Sequence, residues 1–177
     1  MWDNFKYFLD RVLPVCEDID MKLALHPNDP PVDCLCGISN LITSSADYKH
    51  AFELAGNSPY LGMKMCIGCW LEGGENFGNV LEDIKYFVEI KGLCVHFRNV
   101  SSPMPQFEET LLEDGYMNMY EIMKAFVKAD YDGVLHADHV PLWEWCWNWW
   151  FYNSMDLQYG IHQGAVEMCN GRGKQII

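Results

Sequence analysis

Leu93-Cys94-Val95-His96-Phe97-Arg98-Asn99-Val100 is a run of apolar and β-branched residues that closes on a histidine, an arginine and an asparagine. It reads as a buried strand that delivers polar chemistry at its C-terminal end. Three other apolar runs end in the same way: Lys22-Leu23-Ala24-Leu25-His26-Pro27, Leu61-Gly62-Met63-Lys64-Met65-Cys66 and Gly133-Val134-Leu135-His136-Ala137-Asp138-His139. His26, Cys66, His96 and Asp138 form a donor set for a divalent transition ion. Taken singly, Cys66 is a small core hydrophobe and His96 a hydrogen-bonded core histidine. Recurrence at four consecutive strand ends is what sets them apart. The donors admit Mn²⁺, Fe²⁺, Co²⁺ or Zn²⁺, and thiolate softness alone favours zinc.

Helical patterns separate these runs. Phe5, Phe8, Leu9, Val12, Leu13 and Cys16 lie at helical spacing between Asp3 and Asp18, with a break expected near Pro14. Ser44, Ser45 and Asp47 offer caps for a helix that Gly56-Asn57-Ser58-Pro59 stops. Val80, Ile84, Phe87 and Val88 mark the next helix, Ile122, Met123, Phe126 and Val127 another, and a last helical stretch is expected over 156–169. An N-terminal helix followed by about four strand–helix units at 30 to 40 residues each predicts an α/β chain with parallel strands and right-handed crossovers. Adjacent parallel strands would bring all four donors to one rim.

The 177 residues are 50% hydrophobic and 14% aromatic, enough for one folded core. A formal net charge of -13 argues against nucleic acid or an anionic membrane as partner. An anionic small substrate would need a locally positive site from a metal, Arg98 or both. The start Met1-Trp2-Asp3-Asn4-Phe5-Lys6 lacks the pattern of a signal peptide, and no window reads as a membrane span. A cytoplasmic setting is expected, with the eight cysteines as thiols. Asn99-Val100-Ser101 then matches a glycosylation acceptor by chance.

Cys66-Ile67-Gly68-Cys69 has redox-type spacing but competes with the metal reading for Cys66. Cys34-Leu35-Cys36 has the wrong spacing for a zinc knuckle and is expected to serve loop packing. Glu108-Glu109 and Glu113-Asp114 could supply a general base, although such pairs are usually solvated charge. The run from Trp143 to Trp150 suits a sugar pocket, a sticky face or plain core.

His26-Pro27-Asn28-Asp29-Pro30-Pro31, Cys66-Ile67-Gly68, His96-Phe97-Arg98-Asn99-Val100, Glu113-Asp114-Gly115-Tyr116-Met117-Asn118-Met119 and Asp138-His139-Val140-Pro141 resemble mannonate dehydratase, a TIM-barrel family of the xylose-isomerase-like group. The resemblance runs in order from Trp2 to Pro141 and weakens beyond. It implies conversion of D-mannonate to 2-dehydro-3-deoxy-D-gluconate in hexuronate catabolism, with Mn²⁺ or Fe²⁺ held by His26, Cys66, His96 and Asp138. It further implies proton transfer by His139, contact of Arg98 with the substrate carboxylate, and a catalytic tyrosine to which Tyr159 is a loose match. Asn28 replaces a usual aspartate and Ala137 a residue often Pro or Asp; neither removes a donor.

A whole barrel needs roughly 250 residues, so the resemblance covers a C-terminal half, a partial (βα)8 barrel. Such a half exposes two strand edges. One expectation is an enzyme completed by a second copy or by a separate N-terminal half. Others are a catalytically incomplete fragment with a metal-binding or interaction role, and a related sugar isomerase or epimerase.

Overall fold

The computed structural model describes residues 1–138, the Leu93 side chain excepted. Its first element, α1 (Trp2–Asp18), buries Leu9 and Cys16. The expected break at Pro14 does not occur, and the helix runs on to Asp18. Proline removes a single amide, whose partner would be the carbonyl of Asp10. Asp10 is exposed, so that carbonyl is left to solvent, while buried side chains on both sides of the proline keep the helix docked.

Strand β1 (Leu23–Leu25) follows, then a hairpin of β2 (Cys34–Leu35) and β3 (Ile38–Ser39). Cys36 and Gly37 between them have φ of 52° and 83°, the paired positive values of a type I′ turn. Cys34, Leu35 and Cys36 are therefore exposed on a hairpin and do not pack a loop, contrary to the sequence expectation.

Helix α2 (Ser45–Leu54) starts at Ser44, whose hydroxyl accepts from the Asp47 amide at 3.2 Å and donates to the Asp47 carboxylate at 2.8 Å. Each group satisfies the other. Strand β4 (Leu61–Cys66) leads into α3 (Ile67–Gly73) and a 3₁₀ turn (Gly74–Asn76), elements absent from the helical patterns read in the sequence. All seven residues of α3 are buried, so packing of Ile67, Cys69, Trp70 and Leu71 outweighs the glycines. Helix α4 (Val80–Ile90), capped by Asn79, precedes β5 (Gly92–His96).

The stretch from Leu93 to Val100 is not one strand. It leaves the main sheet after His96, and Asn99–Val100 (β6) pairs antiparallel with β7 (Glu109–Thr110). Asn99 holds this turn-out, donating to the carbonyls of Leu112 and Met117 at 2.8 Å each. It is fully buried, so the acceptor-like Asn99-Val100-Ser101 is closed to modification. Helix α5 (Met119–Lys128), capped by Asn118, and β8 (Val134–His136) complete the described chain.

The main sheet has the order β1-β4-β5-β8, all parallel. Helices between consecutive strands are the βαβ pattern the periodicities predict. Behind the sheet, Tyr48 stacks on Trp70 at 5.7 Å, and Phe77 and Phe87 close around them. The buried Tyr48 hydroxyl lies within 3.1 Å of the Leu25 carbonyl and 3.4 Å of that of Lys64, tying α2 to the ends of β1 and β4. No helix among the described residues is long and apolar enough to cross a membrane.

Candidate metal centre

Register fixes the site. Cys66 is the residue of β4 opposite His96 of β5, and His96 is opposite His136 of β8, with Asp138 two residues on. His26 directly follows the last residue of β1. The four strand-end residues therefore converge on one rim.

His26 Nδ1 donates to the Pro27 carbonyl at 2.7 Å, because a carbonyl can only accept. Its Nε2 then carries the lone pair, and it faces His96 Nδ1 at 3.3 Å. A backbone carbonyl that sets the tautomer of an imidazole is the usual support of a ligating histidine. His96 Nδ1 lies 3.2 Å from Asp138 Oδ1, and Cys66 Sγ lies 3.5 Å from Asp138 Oδ2. Donor atoms of Cys66, His96 and Asp138 all lie within 4.8 Å of one another, as do those of His26, Cys66 and Cys69.

Electrostatics follow from this crowding of acceptors. The Cys66 thiol is held well below its ordinary range by the hydrogen bond from Cys69, which with His26, His96 and Arg98 outweighs burial. Cys69 is pushed up by the same hydrogen bond and by burial. At His96 burial pulls the imidazole down, but Asp138 and Cys66 outweigh it and raise the pKa to about 8. His26 is raised too: burial opposes, and the Cys66 hydrogen bond and charge prevail.

Beside the donors lies Arg98, 1% exposed. Its Nε donates to Asp138 Oδ2 at 2.9 Å, Nη2 to Asp29 Oδ2 at 2.6 Å, and Nη1 lies 2.5 Å from Glu72 Oε1. The guanidinium that the resemblance aims at a substrate carboxylate thus sits among the protein's own carboxylates. It reaches them because the chain leaves the ladder after His96. Gly68 makes the room, since a Cβ there would stand 2.4 Å from Arg98 Cζ and Nε.

Asp29, Cys69 and Glu72 are site residues that reading the sequence missed. Cys69 and Glu72 sit three residues apart on α3, a helical spacing that would have shown a shared face had the helix been recognised. Asn28 lies off the donor cluster: its Oδ1 accepts from the amides of Leu41 and Ile42 at 2.9 and 3.0 Å, and its Nδ2 donates to Asn40 at 3.1 Å. It fixes the loop that follows His26. Glu109 approaches Arg98 at 3.8 Å. His139, Tyr159, the Trp143–Trp150 run and the helix expected over 156–169 lie outside the described residues.

Burial outweighs the Arg98 charge and pushes the Glu72 carboxyl up to about 8. An unfolded glutamate titrates near 4.3, so the folded state holds the Glu72 proton between that value and about 8. Stability is therefore lost as pH rises through this window. From pH 5 to 9, metal-free wild type should lose on the order of a few kcal/mol relative to Glu72→Gln. Urea denaturation at both pH values reads this, and a difference that does not change with pH contradicts it.

Residues 1–161 match the family model for D-mannonate dehydratase (UxuA). The chain belongs to the mannonate dehydratase family. Mannonate dehydratases of Thermotoga neapolitana and Enterococcus faecalis are 35% and 34% identical over 145 and 141 residues, 78% and 77% of this chain. The chain spans only 39% and 38% of their lengths. The crystal structure of mannonate dehydratase from Streptococcus suis serotype 2 superposes with a TM-score of 0.84 at 26% identity, covering 99% of this chain and 52% of that one. A D-tagatose 3-epimerase-like protein, at TM-score 0.68 and 18% identity over 96% of this chain and 55% of its own, shares the fold alone. A xylose isomerase-like TIM barrel protein from Mycobacterium smegmatis, at TM-score 0.58 and 13% identity over 84% of this chain and 45% of its own, shares the fold too, so the parallel sheet has the fold class that the sequence led one to expect.

Proposed function

We propose that this chain carries the metal-binding rim of a mannonate dehydratase site, and that the assembled protein converts D-mannonate to 2-dehydro-3-deoxy-D-gluconate in hexuronate catabolism. The observation that carries the metal reading is the convergence of ligand atoms. His26 Nε2, Cys66 Sγ, His96 Nδ1 and an Asp138 carboxylate come from four strand ends and meet in overlapping contacts. Protons bridge them in the metal-free protein, and a divalent cation would displace those protons. His26, Cys66, His96 and Asp138 would hold the ion, Mn²⁺ or Fe²⁺ by family, with Zn²⁺ and Co²⁺ also compatible with the donors.

When bound, the ion would supply Lewis acidity and offset the negative charge that develops as a proton leaves the carbon next to a carboxylate. The chain's own residues do the rest. The Pro27 carbonyl keeps the His26 lone pair turned inward. Arg98 fixes Asp138 Oδ2 and leaves Oδ1 turned to His96. His139, next to Asp138, is assigned proton transfer by resemblance, and Tyr159 is the loose match to the family's catalytic tyrosine.

In this reading the barrel is completed by a partner, either a second copy or a separate N-terminal half, which would pair with the outer edge of β1. A cytoplasmic setting keeps Cys66 reduced. The test is Mn²⁺-dependent formation of a 2-keto-3-deoxy acid from D-mannonate, by the chain alone and with an N-terminal half from a relative. Turnover in either arm supports the proposal. No turnover in both, with the metal bound, overturns the dehydratase assignment for this chain.

A further inference from the structure

Cys69 has no part in the mechanism above, yet it is fully buried beside the donors. Cys69 belongs to the hydrophobic core, but its sulfur also lies within 4.8 Å of donor atoms of His26 and Cys66 on one side, and of Asp29 and Glu72 on the other, polar company that core filling does not require. Cys66 ends β4 and Cys69 lies in the first turn of α3, so the strand-to-helix junction turns two sulfurs toward one point. Two sulfurs on one tetrahedral zinc ion stand about 3.8 Å apart, for zinc–sulfur bonds of about 2.3 Å, and the two sulfurs here lie within 4.8 Å, so binding would draw them together.

We propose that Cys69 is a fifth donor of this centre, and that the His26–Cys66–Cys69 face it completes widens the margin for zinc-like ions over manganese beyond what the other four donors give. The inference rests on the metal reading above. Its physical basis is softness: a second thiolate strengthens binding of Zn²⁺ and Co²⁺, and adds little for the harder Mn²⁺. Zinc, usually four-coordinate, would take its last donor from His96 or Asp138.

Co²⁺ is the probe, because its thiolate charge-transfer absorption reports sulfur ligands whereas d¹⁰ zinc is silent. The chain is used in reducing buffer with Cys34→Ser and Cys36→Ser, so that the exposed hairpin pair contributes nothing. Cys69→Ser should lower the charge-transfer band by about half, the share of one thiolate in two. It should weaken Zn²⁺ binding at least about tenfold, with Mn²⁺ affinity little changed. Cys69→Ala, which keeps an apolar group in the core, should behave alike and separates a lost ligand from lost packing. A full band and undiminished zinc affinity in both variants, with the band lost in Cys66→Ser, overturns the role of Cys69 and leaves the metal reading standing. No cobalt or zinc binding by the unsubstituted pair overturns both.

Discussion

Cys66→Ala and His96→Ala should each weaken binding of Mn²⁺ by two orders of magnitude or more, read by calorimetric titration of metal-free protein. Both residues are buried and directly opposite each other in the β4–β5 ladder, and the neighbouring Cys69, a soft thiol, adds little toward the harder Mn²⁺, so neither loss is made good. Loss of a residue that only supports a metal ligand typically costs about 10–100-fold in affinity, and loss of the ligand itself exceeds that. Neither change should unfold the chain. Cys66→Ala removes one buried sulfur, a cavity of modest cost, and His96→Ala relieves the crowding with His26. Unchanged affinity and stoichiometry in both variants would remove the four-donor centre from consideration.

Gly68→Ala should destabilise the fold by about 3–5 kcal/mol, the cost of breaking a buried charge cluster. Helix propensity points the other way, since alanine is better than glycine inside a helix by about 1 kcal/mol. The sign is decided by Arg98. A Cβ at position 68 would stand 2.4 Å from Cζ and Nε and 2.6 Å from Cγ of that residue. A free arginine would step aside, but this one is anchored on Asp29, Glu72 and Asp138. Displacing it takes the guanidinium from the buried Glu72 side chain and the exposed Asp29 and releases Asp138, so the metal affinity should fall as well. Urea denaturation and metal titration of Gly68→Ala measure the two effects. A variant as stable as wild type would show that Arg98 can move freely.

That His26, Cys66, His96 and Asp138 come together was legible in the sequence because each follows an apolar run, and strand ends in parallel sheets meet at one rim. The parallel strand–helix units were legible from the same spacing, whereas the half-barrel came from the family resemblance. Local exceptions were not. Pro14 sits in a helix whose buried Leu9 and Cys16 overrule it, and α3 carries two glycines that propensity alone would place in a loop. The surroundings of Arg98 were invisible for another reason. Asp29, Glu72 and Asp138 come from three separate segments, and only the turn-out of the chain after His96 brings the guanidinium among them. Long-range charge pairing leaves no periodic trace.

The measurement that tests the central claim most directly is the position of a bound Mn²⁺ ion in crystals of this chain, located by its anomalous scattering. The account predicts one strong peak bonded to His26 Nε2, Cys66 Sγ, a ring nitrogen of His96 and an Asp138 carboxylate oxygen, with Arg98 still on the other oxygen of Asp138. A peak elsewhere, or none at Mn²⁺ concentrations that support turnover, would contradict it.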